Sequence, residues 1–303
     1  MGCDLGRRAV AVAGLLALAA SAALAGQAVA QPSAQQTSQG EFQVNGPEAE
    51  PGGVVLYRIA SPYQRGETQV RLLPPPKLDP PEKRRVLFVL PVEAGAGTRW
   101  GDAIRAARAA GVADRFGFVA VFPTFSALPW YCDHPAEPTL RQESYVLRVL
   151  VPLVERLYPH EARRRALVGF SKSGWGAFSL LLRHPEAFAA AAAWDAPMMM
   201  ARPGFGMDQV VGTQEQFERY RIERLLRERA AAVRGAERLG LFGYDSFRKD
   251  TQAAHALMAE LRIPHEYADG PLRKHHWESG WLEGAVRFLR DALEAGATSD
   301  AGR

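Results

Sequence analysis

The residues best suited to chemistry begin at Gly169, where a short apolar run ends and a helical pattern starts. Ser171 stands there in the order Gly-Phe-Ser-Lys-Ser-Gly, close to the G-x-S-x-G pattern that presents a serine hydroxyl on a sharp strand-to-helix turn. Ser173 takes the place of the second glycine, which comes one residue later. The spacing predicts Ser171 as a nucleophile and the backbone N–H of Lys172 as a donor to the oxyanion formed on attack.

The general base is expected in the loop after the last predicted strand. A serine hydroxyl attacks well at neutral pH only when an imidazole takes its proton, and this loop carries the adjacent residues His275 and His276. Neighbouring loop residues point in different directions, so only one of them can face Ser171. His275 and His276 are both candidates for the base. No metal is predicted, because sequence neighbours rarely chelate one ion together and no C-x-x-C or H-x-x-x-H spacing is present.

The acid that orients the imidazole has three candidates. Asp245 directly follows the apolar strand Leu239–Phe242, where a carboxylate can reach a histidine on the next loop. Asp250 is a weaker alternative, because a capping or dipole role in the first turn of a helix explains it. Asp195, at the end of the preceding strand, is the third. The sequence favours Asp245 without excluding the others.

Two loops are expected to complete the site. The glycine-containing loop after Val86–Leu90 is predicted to supply the second oxyanion donor, from the backbone N–H of Val92 or Glu93. The aromatic loop with Trp130 and Tyr131 follows another predicted strand and is interpreted as a wall of the substrate pocket, although loop packing explains these rings nearly as well.

These residues need a scaffold that brings strand ends together. Short apolar runs alternate with helical segments, which predicts an α/β domain with a mostly parallel sheet, helices on both faces and an antiparallel edge at its start. Residues 198–229 interrupt the alternation and are interpreted as a small lid insertion. The predicted helices are Asp102–Ala110, Leu140–Leu157, Ser173–Arg183, Asp250–Leu261 and Leu282–Ala295.

The ends of the chain predict export. Arg7 and Arg8 precede an alanine- and leucine-rich run with A-x-A sites ending at Ala25 and Ala30, which indicates a signal peptide over residues 1–30 and a periplasmic or secreted protein with no stable membrane span after cleavage. Residues 31–52 are expected to be a disordered spacer, 53–296 the folded domain and 297–303 a disordered tail. The net charge of +4 is mild, and no broad basic face favours nucleic-acid binding.

The elbow at Ser171 and the following helix, which ends in Arg183-His-Pro-Glu-Ala-Phe188, resemble the putative-esterase group of the α/β-hydrolase superfamily. That group includes S-formylglutathione hydrolases, feruloyl and acetylxylan esterases and mycolyltransferases. The resemblance implies the α/β-hydrolase fold, with Ser171 as nucleophile and Asp245 as acid. It also implies His275 as base, because the spacing from His275 to Trp277 matches the group's H-x-W.

The chain is therefore predicted to cleave a small-molecule or polysaccharide-linked carboxylic ester through an acyl-enzyme on Ser171, without a metal or organic cofactor. A serine peptidase or an acyltransferase would use the same three residues. A non-catalytic binding protein that kept the fold is the alternative from another class. The oligomeric state does not follow from the sequence.

Overall fold

The computed structural model describes residues 42–300 of the 303-residue chain, with the backbone alone over 297–300. Its centre is a nine-stranded sheet in the order β1-β2-β3-β5-β4-β6-β7-β8-β9. The strands are β1 (Gln43–Glu50), β2 (Val54–Ala60), β3 (Glu67–Leu73), β4 (Arg85–Val89), β5 (Phe118–Pro123), β6 (Arg165–Phe170), β7 (Ala190–Trp194), β8 (Leu239–Tyr244) and β9 (His265–Leu272).

The sheet has an antiparallel edge and a parallel body. Strands β1, β2, β3 and β5 pair antiparallel in succession, whereas β5, β4, β6, β7, β8 and β9 run parallel. Strand β4 lies between β5 and β6, so the direction in which the chain adds strands reverses there. Open α/β sheets bind ligands beyond the carboxyl ends of the strands at such a point, and Ser171 directly follows β6.

Strand β1 corrects the expected disordered spacer, because residues 43–50 form the outermost strand of the sheet. They pair with β2 through an irregular register, and Val44 is buried. The polar composition does not predict this strand, because Val44 is its one buried residue and it lies at an edge, where proline is also tolerated. Two ion pairs fix it to its neighbours, Arg58 to Glu48 and Arg71 to Glu50.

Helices cover both faces of the sheet, as predicted. Alternate β4 residues point to opposite faces: Val86 and Phe88 belong to one apolar core, Leu87 and Val89 to the other. The helices are α1 (Ala103–Ala109), α2 (Gln142–Tyr145), α3 (Val151–Leu157), α4 (Lys172–Arg183), α5 (Asp208–Val211), α6 (Gln214–Glu218), α7 (Ile222–Val233), α8 (Arg248–Glu260) and α9 (Leu282–Asp300), with α2 joined to α3 by a π-helical stretch.

The lid interpretation of residues 198–229 is not confirmed. Helix α7 buries Ile222, Leu225 and Leu226 in the same core as α4, so it is part of the helical layer. A buried polar cluster also anchors the segment, because the Glu143 carboxylate accepts hydrogen bonds from Tyr220 (2.7 Å) and Arg183 (2.6 Å).

The predicted tail is also corrected in part, since α9 continues through Asp300. Residues 1–30, read as a signal peptide, and the first part of the spacer lie outside the described residues. Within residues 42–300, no helix combines the length and apolar character that crossing a bilayer requires.

Candidate active site

Ser171 lies at the junction of β6 and α4 with φ 52° and ψ −129°. A positive φ is strained for serine, and such strain is typical of a nucleophile held on a sharp turn. The surrounding chain fixes the turn: the Ser171 N–H donates to the backbone oxygens of Trp194 (3.1 Å) and Asp195 (3.2 Å), at the end of β7. Ser171 is 7% exposed, so its hydroxyl is held within the rim of the sheet.

The replacement of glycine by Ser173 fits the turn. The Ser173 hydroxyl donates to the Phe170 carbonyl oxygen (2.9 Å) and accepts from the Phe170 N–H (3.0 Å), closing the strand end onto the helix. Gly169 faces this serine, and a Cβ on Gly169 would lie 2.4 Å from the Ser173 carbonyl carbon. The sequence G-x-S-x-S-G therefore forms the elbow with a side-chain hydrogen bond where the usual pattern has a second glycine.

His275 reaches the same rim from the loop after β9. Its Nδ1 is 2.6 Å from the Asp195 Oδ2, and the Asp195 side chain is fully buried. The His275 ring packs edge-on against Phe170, which precedes the nucleophile, with 4.9 Å between ring centroids. The His275 hydrogen bonds to the two carboxylates use its backbone N–H and its Nδ1, so they leave the other ring nitrogen, Nε2, out of the contact with Asp195.

Asp195 is ionised, and this sets the imidazole tautomer. Burial alone would raise the pKa of the Asp195 carboxyl, but hydrogen bonds from His275 and from backbone N–H groups of the turn after β8 lower that pKa overall. Two of these donors are the N–H groups of Ser246 (3.1 Å) and Phe247 (2.7 Å). An ionised carboxylate only accepts hydrogen bonds, so His275 carries its proton on Nδ1 and leaves Nε2 as the acceptor.

Asp245 and Asp250, the acids weighed ahead of Asp195 by the sequence, are placed differently. The Asp245 carboxylate accepts from the backbone N–H of His275 (3.1 Å), while the ring nitrogen pairs with Asp195. Asp250 lies in the first turn of α8 and accepts from the Met199 N–H (3.0 Å), tying that loop to the helix. The strand that follows β6 thus carries the carboxylate that meets the imidazole.

His276 contacts its own loop and the segment before α1. Its Nδ1 accepts from the Glu278 N–H (3.2 Å) and caps the short turn Trp277–Ser279. Its ring lies against Gly101, where a Cβ would come within 2.4 Å of His276 Cε1. The two adjacent histidines therefore have separate positions: His275 faces the carboxylates and His276 holds its loop against the segment before α1.

The two backbone N–H groups expected to bind the oxyanion, those of Lys172 and Val92, have no backbone acceptor in the part of the chain that the structure describes. The Lys172 N–H opens α4, and neither it nor the Val92 N–H has a recorded acceptor there. The Leu90 N–H donates to the Val168 carbonyl oxygen (2.9 Å), so the loop after β4 runs beside the elbow. Val92 is three residues beyond the last paired residue of β4, Val89, and Ser171 is three residues beyond its partner, Val168. A helix N-terminus and a free loop N–H are suited to a developing negative charge.

The Lys172 side chain is half-buried over this region. Burial lowers the pKa of its ammonium, and Arg99 acts in the same direction against the opposing effect of Glu93. A cavity of about 230 Å³ lies under the loop that carries Glu93 and is lined by Val92 and Trp277. Ser171 does not line this cavity.

Trp130 and Tyr131 do not form a pocket wall in this structure, because both side chains are fully buried. Trp130 packs edge-on against Trp175 of α4, with centroids 5.6 Å apart. The Tyr131 hydroxyl donates to the Pro91 carbonyl oxygen (2.5 Å), and its ring fills the space beside Gly176. Both residues support the elbow helix and the loop after β4 from below.

The rings that surround His275 come from residues the sequence analysis did not assign to the site. Trp100 packs edge-on against the imidazole (5.3 Å between centroids), and Phe247 lies at 6.1 Å. No spacing rule links either residue to a histidine so distant in the chain.

One group of side chains has the proximity needed to hold a metal ion. Ligand atoms of Asp195, Asp245 and His275 lie within 4.8 Å of one another. Direct hydrogen bonds already join His275 to both carboxylates, through the ring and through the backbone. These bonds account for the arrangement of the three residues without an ion.

Comparisons with known proteins agree with this fold. A family model described as Putative esterase matches residues 110–236, a span that contains Ser171 and Asp195. An S-formylglutathione hydrolase from Agrobacterium tumefaciens superposes with a TM-score of 0.64 at 17% identity, covering 87% of this chain and 98% of that one. The fluorophosphonate-binding serine hydrolase F of Staphylococcus aureus superposes with a TM-score of 0.62 at 15% identity, covering 80% of this chain and 99% of that one. A ferulic acid esterase superposes with a TM-score of 0.60 at 20% identity, covering 79% of this chain and 98% of that one. A search of curated proteins finds no match.

The strand order and the strained serine at the switch point define an α/β-hydrolase fold, as the sequence predicted. Over residues 110–236, which include the elbow, the chain is similar to the putative-esterase family.

Proposed function

We propose that the chain is an exported serine esterase whose catalytic residues are Ser171, His275 and Asp195. The observation that carries the proposal is the strained Ser171 elbow beside a buried, ionised Asp195 that binds His275 Nδ1. His275 Nε2 takes the proton of the Ser171 hydroxyl as the oxygen attacks the ester carbonyl carbon. Asp195 holds the tautomer and stabilises the imidazolium.

The tetrahedral intermediate then places its negative oxygen against the N–H groups of Lys172 and Val92. Collapse breaks the ester C–O bond, and His275 returns its proton to the departing alcohol oxygen. Water attacks the acyl-enzyme by the same route, giving the carboxylic acid and restoring Ser171. The substrate is a carboxylic ester of a small molecule, or one attached to a polysaccharide.

A fluorophosphonate probe tests this assignment, since it labels a serine only when a base activates it. We expect the wild-type chain and Ser171→Ala to differ completely, with no label on the variant. Ser61→Ala, on the antiparallel side of the sheet, is the matched control and should label like wild type. An unlabelled wild type, or a labelled Ser171→Ala, would refute the proposal.

Export belongs to the same proposal and rests on the leader-like residues 1–30. Probe labelling of fractionated bacterial cells expressing the full chain reports it at the same time. The labelled protein should occur outside the cytoplasm with a mass matching cleavage after Ala25 or Ala30. Full-length label confined to the cytoplasm would contradict export while leaving the esterase assignment intact.

A further inference from the structure

Phe205 has an unusual position on the surface. It is 62% exposed, and Phe205 and Leu272 are the exposed large apolar side chains among the described residues. Its backbone has φ 53°, a conformation that bulky residues rarely adopt because Cβ crowds the chain. Exposure of an aromatic ring and backbone strain at one residue are both unfavourable, so folding alone does not account for Phe205.

The Phe205 ring is directed toward the active site. It packs edge-on against Phe247, with centroids 5.6 Å apart and an interplanar angle of 85°. The Phe247 ring in turn lies 6.1 Å from the His275 ring, and the Phe247 N–H donates to Asp195. The two phenylalanines thus form one apolar surface, the Phe205–Phe247 pair, that extends from the imidazole out to solvent.

The proposed reaction determines which part of a substrate contacts the Phe205–Phe247 pair. The imidazole must protonate the departing alcohol oxygen, so that oxygen lies next to His275 in the transition state. The carbonyl oxygen lies on the other side, against the N–H groups of Lys172 and Val92. Groups attached to the alcohol oxygen therefore extend toward the rings that pack around His275.

We propose that the Phe205–Phe247 pair binds a flat, apolar alcohol part of the substrate, so that the preferred substrates are aryl esters. This inference rests on the proposed esterase function. An aromatic ring fits because it can pack edge-on or offset against both phenylalanines and cover the exposed Phe205 face. Phe205 is then a specificity residue that makes no contact with the reacting atoms.

The test compares acetates that share one acyl group and differ in the alcohol: methyl, phenyl and 2-naphthyl acetate. In Phe205→Ala we expect KM for 2-naphthyl acetate to rise roughly three- to tenfold, the loss of one aromatic contact. The kcat should stay within about twofold, and kcat/KM for methyl acetate should not change, because the chemical groups remain in place. Dividing each variant value by the wild-type value removes the difference in leaving-group reactivity.

Leu272→Ala is the matched control, since it removes the other exposed large apolar side chain and should leave all three acetates unaffected. Phe205→Tyr should restore the wild-type KM for 2-naphthyl acetate. Phe205→Leu keeps an apolar residue and removes the ring, so it provides the same comparison if the alanine variant does not fold.

Two results would overturn the inference. One is an equal effect of Phe205→Ala on methyl and 2-naphthyl acetate. The other is a KM effect for ethyl phenylacetate, whose ring lies on the acyl side, with none for 2-naphthyl acetate. In either case fluorophosphonate labelling of Ser171 would still stand. If the wild-type protein neither took up the fluorophosphonate label nor turned over any acetate, the esterase function itself would be refuted.

Discussion

At the scale of single residues, the sequence favours Asp245 as the acid, whereas in the structure Asp195 contacts the His275 ring. Asp245 follows the strand after which the family pattern places an acid, and the sequence therefore favours it. In the fold, the turn that contains Asp245 instead donates N–H groups to the buried Asp195 carboxylate. This arrangement depends on how two distant turns meet, which no local spacing records.

The Asp195 assignment makes a quantitative prediction. Asp195→Asn should lower kcat by roughly 10³- to 10⁴-fold, because an amide favours the wrong imidazole tautomer. Asp245→Asn should lower kcat by less than about tenfold, since only the acceptor of a backbone N–H weakens. Steady-state kinetics on phenyl acetate measure both. The reverse order of effects would assign the acid to Asp245.

At the scale of elements, the sequence predicts the strands that are buried on both faces. It does not predict an edge strand that is held only by pairing with its neighbour. The apolar run Val86–Leu90 predicts β4 within one residue at each end, because strands buried on both faces need continuous apolar residues. The elbow is predictable for a similar reason, since its geometry demands small residues. Strand β1 has neither signal, and its polar residues are held by the backbone ladder with β2.

Strand β1 is consequently expected to be structural. A chain beginning at residue 53 should melt roughly 5–10 °C below a chain beginning at residue 42, because it loses the ladder and the two ion pairs. The exposed edge of β2 should also promote association. Circular dichroism melting and light scattering measure the two effects. Equal melting temperatures would show that the segment is the dispensable spacer that its composition suggests.

At the scale of the whole molecule, the half-buried His160 and the buried Glu143 make the free energy of unfolding depend on pH. Partial burial lowers the pKa of His160 to about 4 from its usual 6.5, since an imidazole partly removed from water resists becoming a cation. Burial alone would raise the pKa of Glu143, but hydrogen bonds from His184, Arg183 and Tyr220 bring it down to about 2 from 4.5. In both cases the unfolded chain takes up a proton at a higher pH than the folded chain.

The contribution of these two groups to the free energy of unfolding should therefore be fully present above about pH 6.5. It should fall as the pH drops, first because His160 is protonated in the unfolded chain, down to about pH 4, and then because Glu143 is, toward pH 2. Urea unfolding at pH 7, 5.5, 4.5 and 3.5 gives the free energy at each point. His160→Gln should flatten the change between pH 6.5 and 4.5 and leave the lower part. Glu143→Gln should flatten the lower part but reduce stability at pH 7 by about 3 kcal/mol, because Arg183 loses its buried partner. An unchanged slope in His160→Gln would mean that another group governs the acid response of this protein.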